Sequence, residues 1–451
     1  MSFKIAFIGA GSVVFSRRIL SDLLTVPELR EIEVAFMDVN EHYLDIIARL
    51  CRKDIESNGL DVRITTTTDR KKALEGAKYV VNCARIGGLE GLRLDTEIPM
   101  KYGVGQCVAD TLSAGGIMYG QRGVPFMLGL CRDIKEVARD DVFLLNYANP
   151  NAMMTWTAIN YANVPATGLC HGVQGGHNLI AKALGLPREE VDIVCAGINH
   201  QTWYIRIEHN GEDLTGKLLE AMENDPEIRS REPVRIDMLR NFGYFSTESN
   251  GHLSEYLPWY RKNEEEIAKW VGTQDGFSAG KTRAYYEKCL ERRNEYEENF
   301  EKWLAEPSTE FTPENRTHEH GSFIIEAMET GRIYRGHFNV VNGGTITNLP
   351  DDAVIEAPGY VDKLGMHIPK VGDLPLGCAA VCTVSISVQR LSVSAAVTGD
   401  VNLLRQAMLM DPLVGAVCTP SQVRAMVDEM LVANKKWLPQ YAEAIEQIEK
   451  R

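Results

Sequence analysis

Near its start the chain carries a short apolar run that ends on a glycine turn, and few folds use that arrangement. Lys4 to Ile8 (Lys-Ile-Ala-Phe-Ile) reads as a buried strand, Gly9-Ala10-Gly11-Ser12 as the turn, and Val13 to Leu24 as a helix with an apolar stripe. Gly9 permits a tight turn. Gly11 lets backbone N–H groups approach a pyrophosphate, and the helix N-terminus behind them supplies positive partial charge. The third glycine of the full fingerprint would fall at position 14, which is Val14, so Gly-x-Gly is a weak signal by itself. Context strengthens it. A second strand, Glu33 to Met37, leads into Met37-Asp38-Val39-Asn40, and Asp38 falls where a carboxylate binds ribose hydroxyls. That carboxylate would repel the additional phosphate of NADP, so NAD is the expected cofactor. Its candidate contacts are Gly9, Gly11, Ser12, Asp38 and Asn40.

The alternation continues. Glu41 to Glu56 reads as a long amphipathic helix, and Val62 to Thr66, Tyr79 to Cys83 and Val142 to Asn146 read as further strands. Strands alternating with helices at this spacing imply βαβ units and a parallel sheet covered on both faces. After about residue 165 the character changes. A charged helical stretch runs from Glu264 to Glu306, strand-like runs follow at Phe338 to Thr347 and Ala353 to Pro358, and helices are expected from about Val401 onward. The fold class read from this is α/β: a Rossmann-type parallel-sheet domain over residues 1–165, then an α+β domain over 166–451 expected to carry metal, substrate and oligomer contacts.

Composition narrows the partners. A formal net charge of -14 repels polyphosphate, so neither nucleic acid nor an anionic membrane is an expected partner. No segment approaches ~18 uninterrupted apolar residues, and the N-terminus is too short and too alternating for a signal peptide. The 10 cysteines include no CxxC pair. Without an export signal they read as reduced thiols, and a cytoplasmic protein is expected.

Two later segments carry chemistry: Gly168-Leu169-Cys170-His171-Gly172-Val173-Gln174 and Cys195-Ala196-Gly197-Ile198-Asn199-His200. A thiolate and an imidazole suit a borderline divalent ion, and an open coordination sphere would admit substrate oxygens. Read from the residues alone, a buried structural Cys and a hydrogen-bonded core His are the competing interpretation.

Taken together, Phe7-Ile8-Gly9-Ala10-Gly11-Ser12, Met37-Asp38-Val39-Asn40, Ala109-Asp110-Thr111, Gly115-Gly116-Ile117, Asn146-Tyr147-Ala148-Asn149-Pro150, Cys170-His171-Gly172-Val173-Gln174 and Ala196-Gly197-Ile198-Asn199-His200 resemble glycoside hydrolase family 4. Thr247-Glu248-Ser249, His252-Leu253-Ser254-Glu255-Tyr256 and Asn348-Leu349-Pro350 agree with it, so the resemblance covers nearly the whole chain. It implies a two-domain fold like that of lactate and malate dehydrogenases, and a glycosidase dependent on NAD and a divalent metal, usually Mn²⁺. This family departs from hydrolysis by two carboxylates. The implied route is redox-neutral: the sugar is oxidised at C3 by NAD, a base takes the acidified C2 proton, and the C1–O bond breaks by elimination. Water then adds and the hydride returns to C3.

By the same resemblance Cys170 and His200 match the metal ligands, and Asn149 and Asn199 contact sugar hydroxyls. His171 stands where phosphosugar members carry Asp or Asn, as a candidate general acid or leaving-group contact. The C2 base falls between Tyr244 and Tyr256, a region offering Glu248, His252, Glu255 and Tyr256, with Glu248 and His252 as the catalytic candidates. Asp110 is a candidate substrate contact. Asp110 and Arg122 are each open to two readings: pocket-shaping residues, or a helix-capping Asp and a surface Arg. Cys-His after position 169 points to unphosphorylated α-glycosides, α-galactosides first. α-Glucosides, α-glucuronides, α-galacturonides and net dehydrogenation of a sugar or hydroxy acid are the alternatives. The resemblance also implies a homodimer or homotetramer.

Overall fold

The computed structural model describes residues 3–271, 280–317 and 319–450. Six parallel strands come first: β1 (Lys4–Ile8), β2 (Glu33–Met37), β3 (Arg63–Thr67), β4 (Ala77–Asn82), β5 (Phe143–Asn146) and β6 (Ala166–Gly168). Then come β7 (Asp192–Ile198), β8 (Gln201–His209), β9 (Glu212–Asp213), β10 (Phe245–Ser246), β11 (Tyr334–Val341), β12 (Val354–Asp362) and β13 (Gly365–His367). They form one 13-stranded sheet in the order β10-β8-β7-β12-β11-β6-β5-β4-β1-β2-β3, with β13 on β12 and β9 on β8. The β6–β5–β4–β1–β2–β3 half is parallel. The rest is antiparallel, and β11 joins the halves through Asn339 opposite Gly168. The sheet therefore crosses residue 165 without a break.

The first turn has the conformation the glycines were read for. Gly9 has φ +81°, and a Cβ there would lie 2.6 Å from Ala84 Cα. Only glycine takes both that dihedral and that approach without strain. Gly9 N and Ala10 N both donate to Met37 O at 2.9 Å, which ties the turn to the end of β2. The helix Glu41–Ser57 then starts on Asn40, whose side-chain oxygen accepts from His42 N and Tyr43 N.

Some expected elements shift. β11 starts at Tyr334 and ends at Val341, so the turn after it was read as strand. The hairpin of β7 and β8 was not anticipated. Of the charged stretch, Glu264–Val271, Ala284–Glu291 and Glu295–Ala305 are helical, and residues 272–279 lie outside the described residues. The terminal helices begin earlier than Val401, with Leu376–Thr398. That 23-residue helix is long and apolar enough by composition to cross a membrane, although Thr383, Ser385, Ser387, Gln389 and Arg390 interrupt its apolar run, as expected. It packs Cys378, Cys382 and Ile386 into the core instead.

Candidate active site

The site collects where the parallel strands end at their carboxyl edges, the usual place for ligands in open α/β sheets. Asn149 follows β5 and Cys170 follows β6. His200 sits in the two-residue turn between β7 and β8, in the left-handed region at φ +64°. Glu248 follows β10, and His252 lies on the short helix Asn250–Glu255. Asp110 ends a loop that enters the helix Ser113–Val137.

These positions converge. One ligand atom each from Cys170, His200 and Glu248 lie within 4.8 Å of one another, and so do atoms of Asp110, His200 and His252. His252 Nε2 is 3.2 Å from Asp110 Oδ1, and its Nδ1 is 3.5 Å from Glu248 Oε2. Asn149 Nδ2 donates to Asp110 Oδ2 at 2.8 Å, which draws a third predicted residue into the cluster. His200 Nδ1 lies 3.0 Å from Thr111 Oγ1 and 3.3 Å from Tyr256 OH, leaving Nε2 for the cluster. A second partner that fixes ring orientation is the usual accompaniment of a metal-binding imidazole.

Electrostatics follow from burial and pairing. Burial opposes the charges, yet the His252 hydrogen bonds hold both Asp110 and Glu248 well below the usual carboxylate range. Burial likewise opposes charge on His252, but Asp110 and Glu248 raise it to about 10. His200 is lowered to about 4, chiefly by burial, so it is a neutral imidazole able to donate a lone pair. Burial pushes the Cys170 thiol up, while the Gly172 N–H and the Asn199 side chain favour its ionised form.

A cleft of about 610 Å³ runs from Gly9, Ser12, Asp38 and Asn40 at one end to Asp110 and Asn149 at the other. Asp38 braces it: Oδ2 accepts from Gly11 N at 2.9 Å and Oδ1 from Asn40 N at 3.0 Å. Asn40 spends its side-chain oxygen on the helix cap, accepting from His42 N and Tyr43 N. A thiol, an imidazole and a carboxylate within one cluster, with the buried Asn199 Oδ1 lacking a partner, fit a borderline divalent ion.

Other residues fall differently. His171 turns from the cluster toward Phe15 and Tyr147, and its Nε2 lies 3.0 Å from Glu319 Oε2. Arg122 is neither a pocket residue nor a surface one. It lies inside a helix with its side chain 1% exposed and paired to Asp95, while Nε donates to Ile86 O. Glu255, one of the residues offered for the base, is instead occupied with the backbone N–H groups of Val108 and Ala109.

Sequence reasoning missed Arg85, Glu319 and Glu356. Arg85 stacks on Tyr119 and Tyr285 at 5.0 and 5.4 Å and lines the cleft beside Asp110. Its place just past the end of β4 was a usable signal. Glu319 and Glu356 carried none, being single carboxylates far along the chain from the residues they touch.

Comparison with known proteins gives a consistent result. Residues 4–186 match the family described as "Family 4 glycosyl hydrolase", and residues 195–414 match its C-terminal domain. An α-galactosidase of Rhizobium meliloti (strain 1021) is 52% identical over 451 residues, covering 100% of this chain and 92% of the relative. An α-galactosidase of Bacillus subtilis (strain 168) is 32% identical, with 97% and 99% covered. Among solved structures, the Thermotoga maritima 6-phospho-β-glucosidase with manganese, NAD+ and glucose-6-phosphate has a TM-score of 0.76 at 25% identity, covering 96% of this chain and 99% of that one. With both family regions matched in sequence order and relatives above 30% identity along almost the full length, the chain belongs to glycosyl hydrolase family 4.

Proposed function

We propose that this glycoside hydrolase is an α-galactosidase that works with NAD and a divalent ion such as Mn²⁺, by the redox-neutral route of oxidation, elimination, hydration and re-reduction. The observation that carries the reading is one juxtaposition. The cleft that starts at the Gly9 turn ends at Asp110, and Asp110 clusters with His200 and His252, while His200 also clusters with Cys170 and Glu248. A dehydrogenase would need the cleft but not the thiol–imidazole pair. The two α-galactosidase relatives direct the substrate choice.

When bound, NAD supplies a reversible hydride acceptor and the ion supplies Lewis-acid stabilisation of charge developing on substrate oxygens. The chain's own residues do the rest. Asp38 and the Gly9–Ser12 turn hold the ribose and pyrophosphate ends. Cys170, His200 and Glu248 would hold the ion and Asn149 would orient sugar hydroxyls, whereas Asn199, 0% exposed with its Nδ2 on Glu356, backs the site instead of touching the sugar. His252, held by Asp110 at 3.2 Å, is charged while Asp110 and Glu248 flank it, and would take the C2 proton only as the neutral imidazole. Glu248, the other catalytic candidate, takes a ligand role in this reading. His171 is held by Glu319 and turned from the cluster, so a leaving-group role would fall outside the ion site, on the side of Phe15 and Tyr147. The remaining parts of the proposal are a nucleotide region over 1–165, a substrate region over 166–451, a homodimer or homotetramer, and a reducing, cytoplasmic setting that keeps the Cys170 thiol intact.

The test is turnover of nitrophenyl α-galactoside, α-glucoside and α-glucuronide with NAD, Mn²⁺ and reductant, using substrate deuterated at C2. Preferred release from the galactoside, loss of the C2 label to water and no net NADH are expected. Stoichiometric NADH would establish a dehydrogenase, and retention of the C2 label would refute the elimination.

A further inference from the structure

Behind Cys170, in the middle of the sheet, lies a polar cluster that the reaction does not use directly. Glu356 on β12 stands opposite Asn339 of β11 on one side and opposite Gly197 of β7 on the other, two residues before Asn199. Its residue exposure is 1%, and Asn199 and Asn339 are 0% exposed. No Lys, Arg or His nitrogen lies within 4.0 Å of its carboxylate among the described residues.

The hydrogen-bond inventory of this cluster does not close. Asn199 Nδ2 donates to Glu356 Oε2 at 3.4 Å, and Asn339 Nδ2 donates to Gly168 O at 3.2 Å. Three buried oxygens then lack a donor: Asn199 Oδ1, Asn339 Oδ1 and Glu356 Oε1. An ionised carboxylate makes this worse, since it adds charge and only accepts. A carboxylic acid reduces the deficit from three oxygens to one, because its O–H turns Oε1 into a donor to one asparagine oxygen, and a buried carboxyl without a counter-charge neutralises rather than stays ionised.

We infer that Glu356 is a positioning residue, held as a neutral acid that donates to one neighbouring asparagine oxygen and accepts from Asn199. This fixes the Asn199 amide, which precedes the proposed ligand His200 in the chain. The Asn199 side chain favours the ionised form of Cys170, and Gly172 N donates to that sulfur at 3.3 Å. Burial raises Glu356 to about 8, which agrees with the geometric argument. Glu356 thus acts through Asn199 on the proposed ligand, as outer-shell partners of metal sites do. The inference rests on the metal reading above.

Infrared difference spectra of the metal-free protein, wild type minus Glu356→Gln at neutral pH, should show a protonated-carboxyl C=O band that shifts in D₂O. Glu356→Gln keeps a donor and an acceptor in the same shape and should bind Mn²⁺ near the wild-type value. Glu356→Leu removes both and should weaken Mn²⁺ binding by about 10–100-fold. If the Leu variant does not fold, the carboxyl band and the Gln variant decide. A wild type that fails to bind Mn²⁺ refutes the metal reading and, with it, any role of Glu356 toward the ion. A wild type that binds Mn²⁺ but shows no such band overturns the inference about Glu356 alone. So does a Gln variant weakened as much as Leu, or a Leu variant that binds normally.

Discussion

Glu255 offers the sharpest test of how the site is held. The residue is 0% exposed, and its carboxylate receives the N–H groups of three successive residues. Oε1 accepts from Cys107 and, at 2.6 Å, from Val108, while Oε2 accepts from Ala109 at 3.2 Å. Ala109 lies in the left-handed region at φ +60°, which an alanine occupies only when its surroundings hold it there, and Asp110 is the next residue. In Glu255→Gln the oxygen must stay with Cys107 and Val108, so the new NH₂ faces the Ala109 N–H, donor against donor. One charge-assisted bond is lost, about 1.5–3 kcal/mol, and the other two lose their ionic component. The loop can relax locally, so the loss appears as displacement of Asp110 rather than as global unfolding. A misplacement of roughly 1 Å costs on the order of 10²-fold in rate. Steady-state kinetics on an α-galactoside should show kcat/KM lowered about 100-fold, with NAD affinity, set at the Gly9 end, changed far less. A variant whose kcat/KM stays within about twofold of wild type would refute the reasoning.

Arg122→Met should cost about 3–5 kcal/mol in urea unfolding, because it strands Asp95, which is 0% exposed. Adding Asp95→Leu should recover much of that loss, and strictly additive losses would contradict the buried pairing. Gly9→Ala places a Cβ 2.6 Å from Ala84 at φ +81°, so NAD binding followed by fluorescence should fall about 10–100-fold, the equivalent of roughly 1–3 kcal/mol of overpacking. Dialysis against chelator should abolish turnover and Mn²⁺ should restore it. Cys170→Ser should lose both, since a hydroxyl is not readily ionised; metal content measured by atomic absorption checks this directly.

Several features were legible from residues that are neighbours in the chain. The strand–turn–helix at Lys4–Leu24, the carboxylate at Asp38 and the run of βα units follow from periodicity and from glycine's freedom at φ +81°. The segments around Cys170 and His200 stood out because of the residue types they carry. These signals are local, set by backbone stereochemistry and by which side chains alternate toward a core.

Tertiary structure alone decided what each polar residue does. His252 and Asp110 are 142 positions apart, as are Glu255 and Val108 to within a few positions at 147, and no periodic pattern relates such pairs. Glu248, His252 and Glu255 sit within eight positions on one short segment, yet one faces Cys170 and His200, one bridges two carboxylates and one pins a loop. Arg122 was misread for the same reason. A charged or apolar side chain is placed by the surface it packs against, and that surface exists only once the sheet has closed around it.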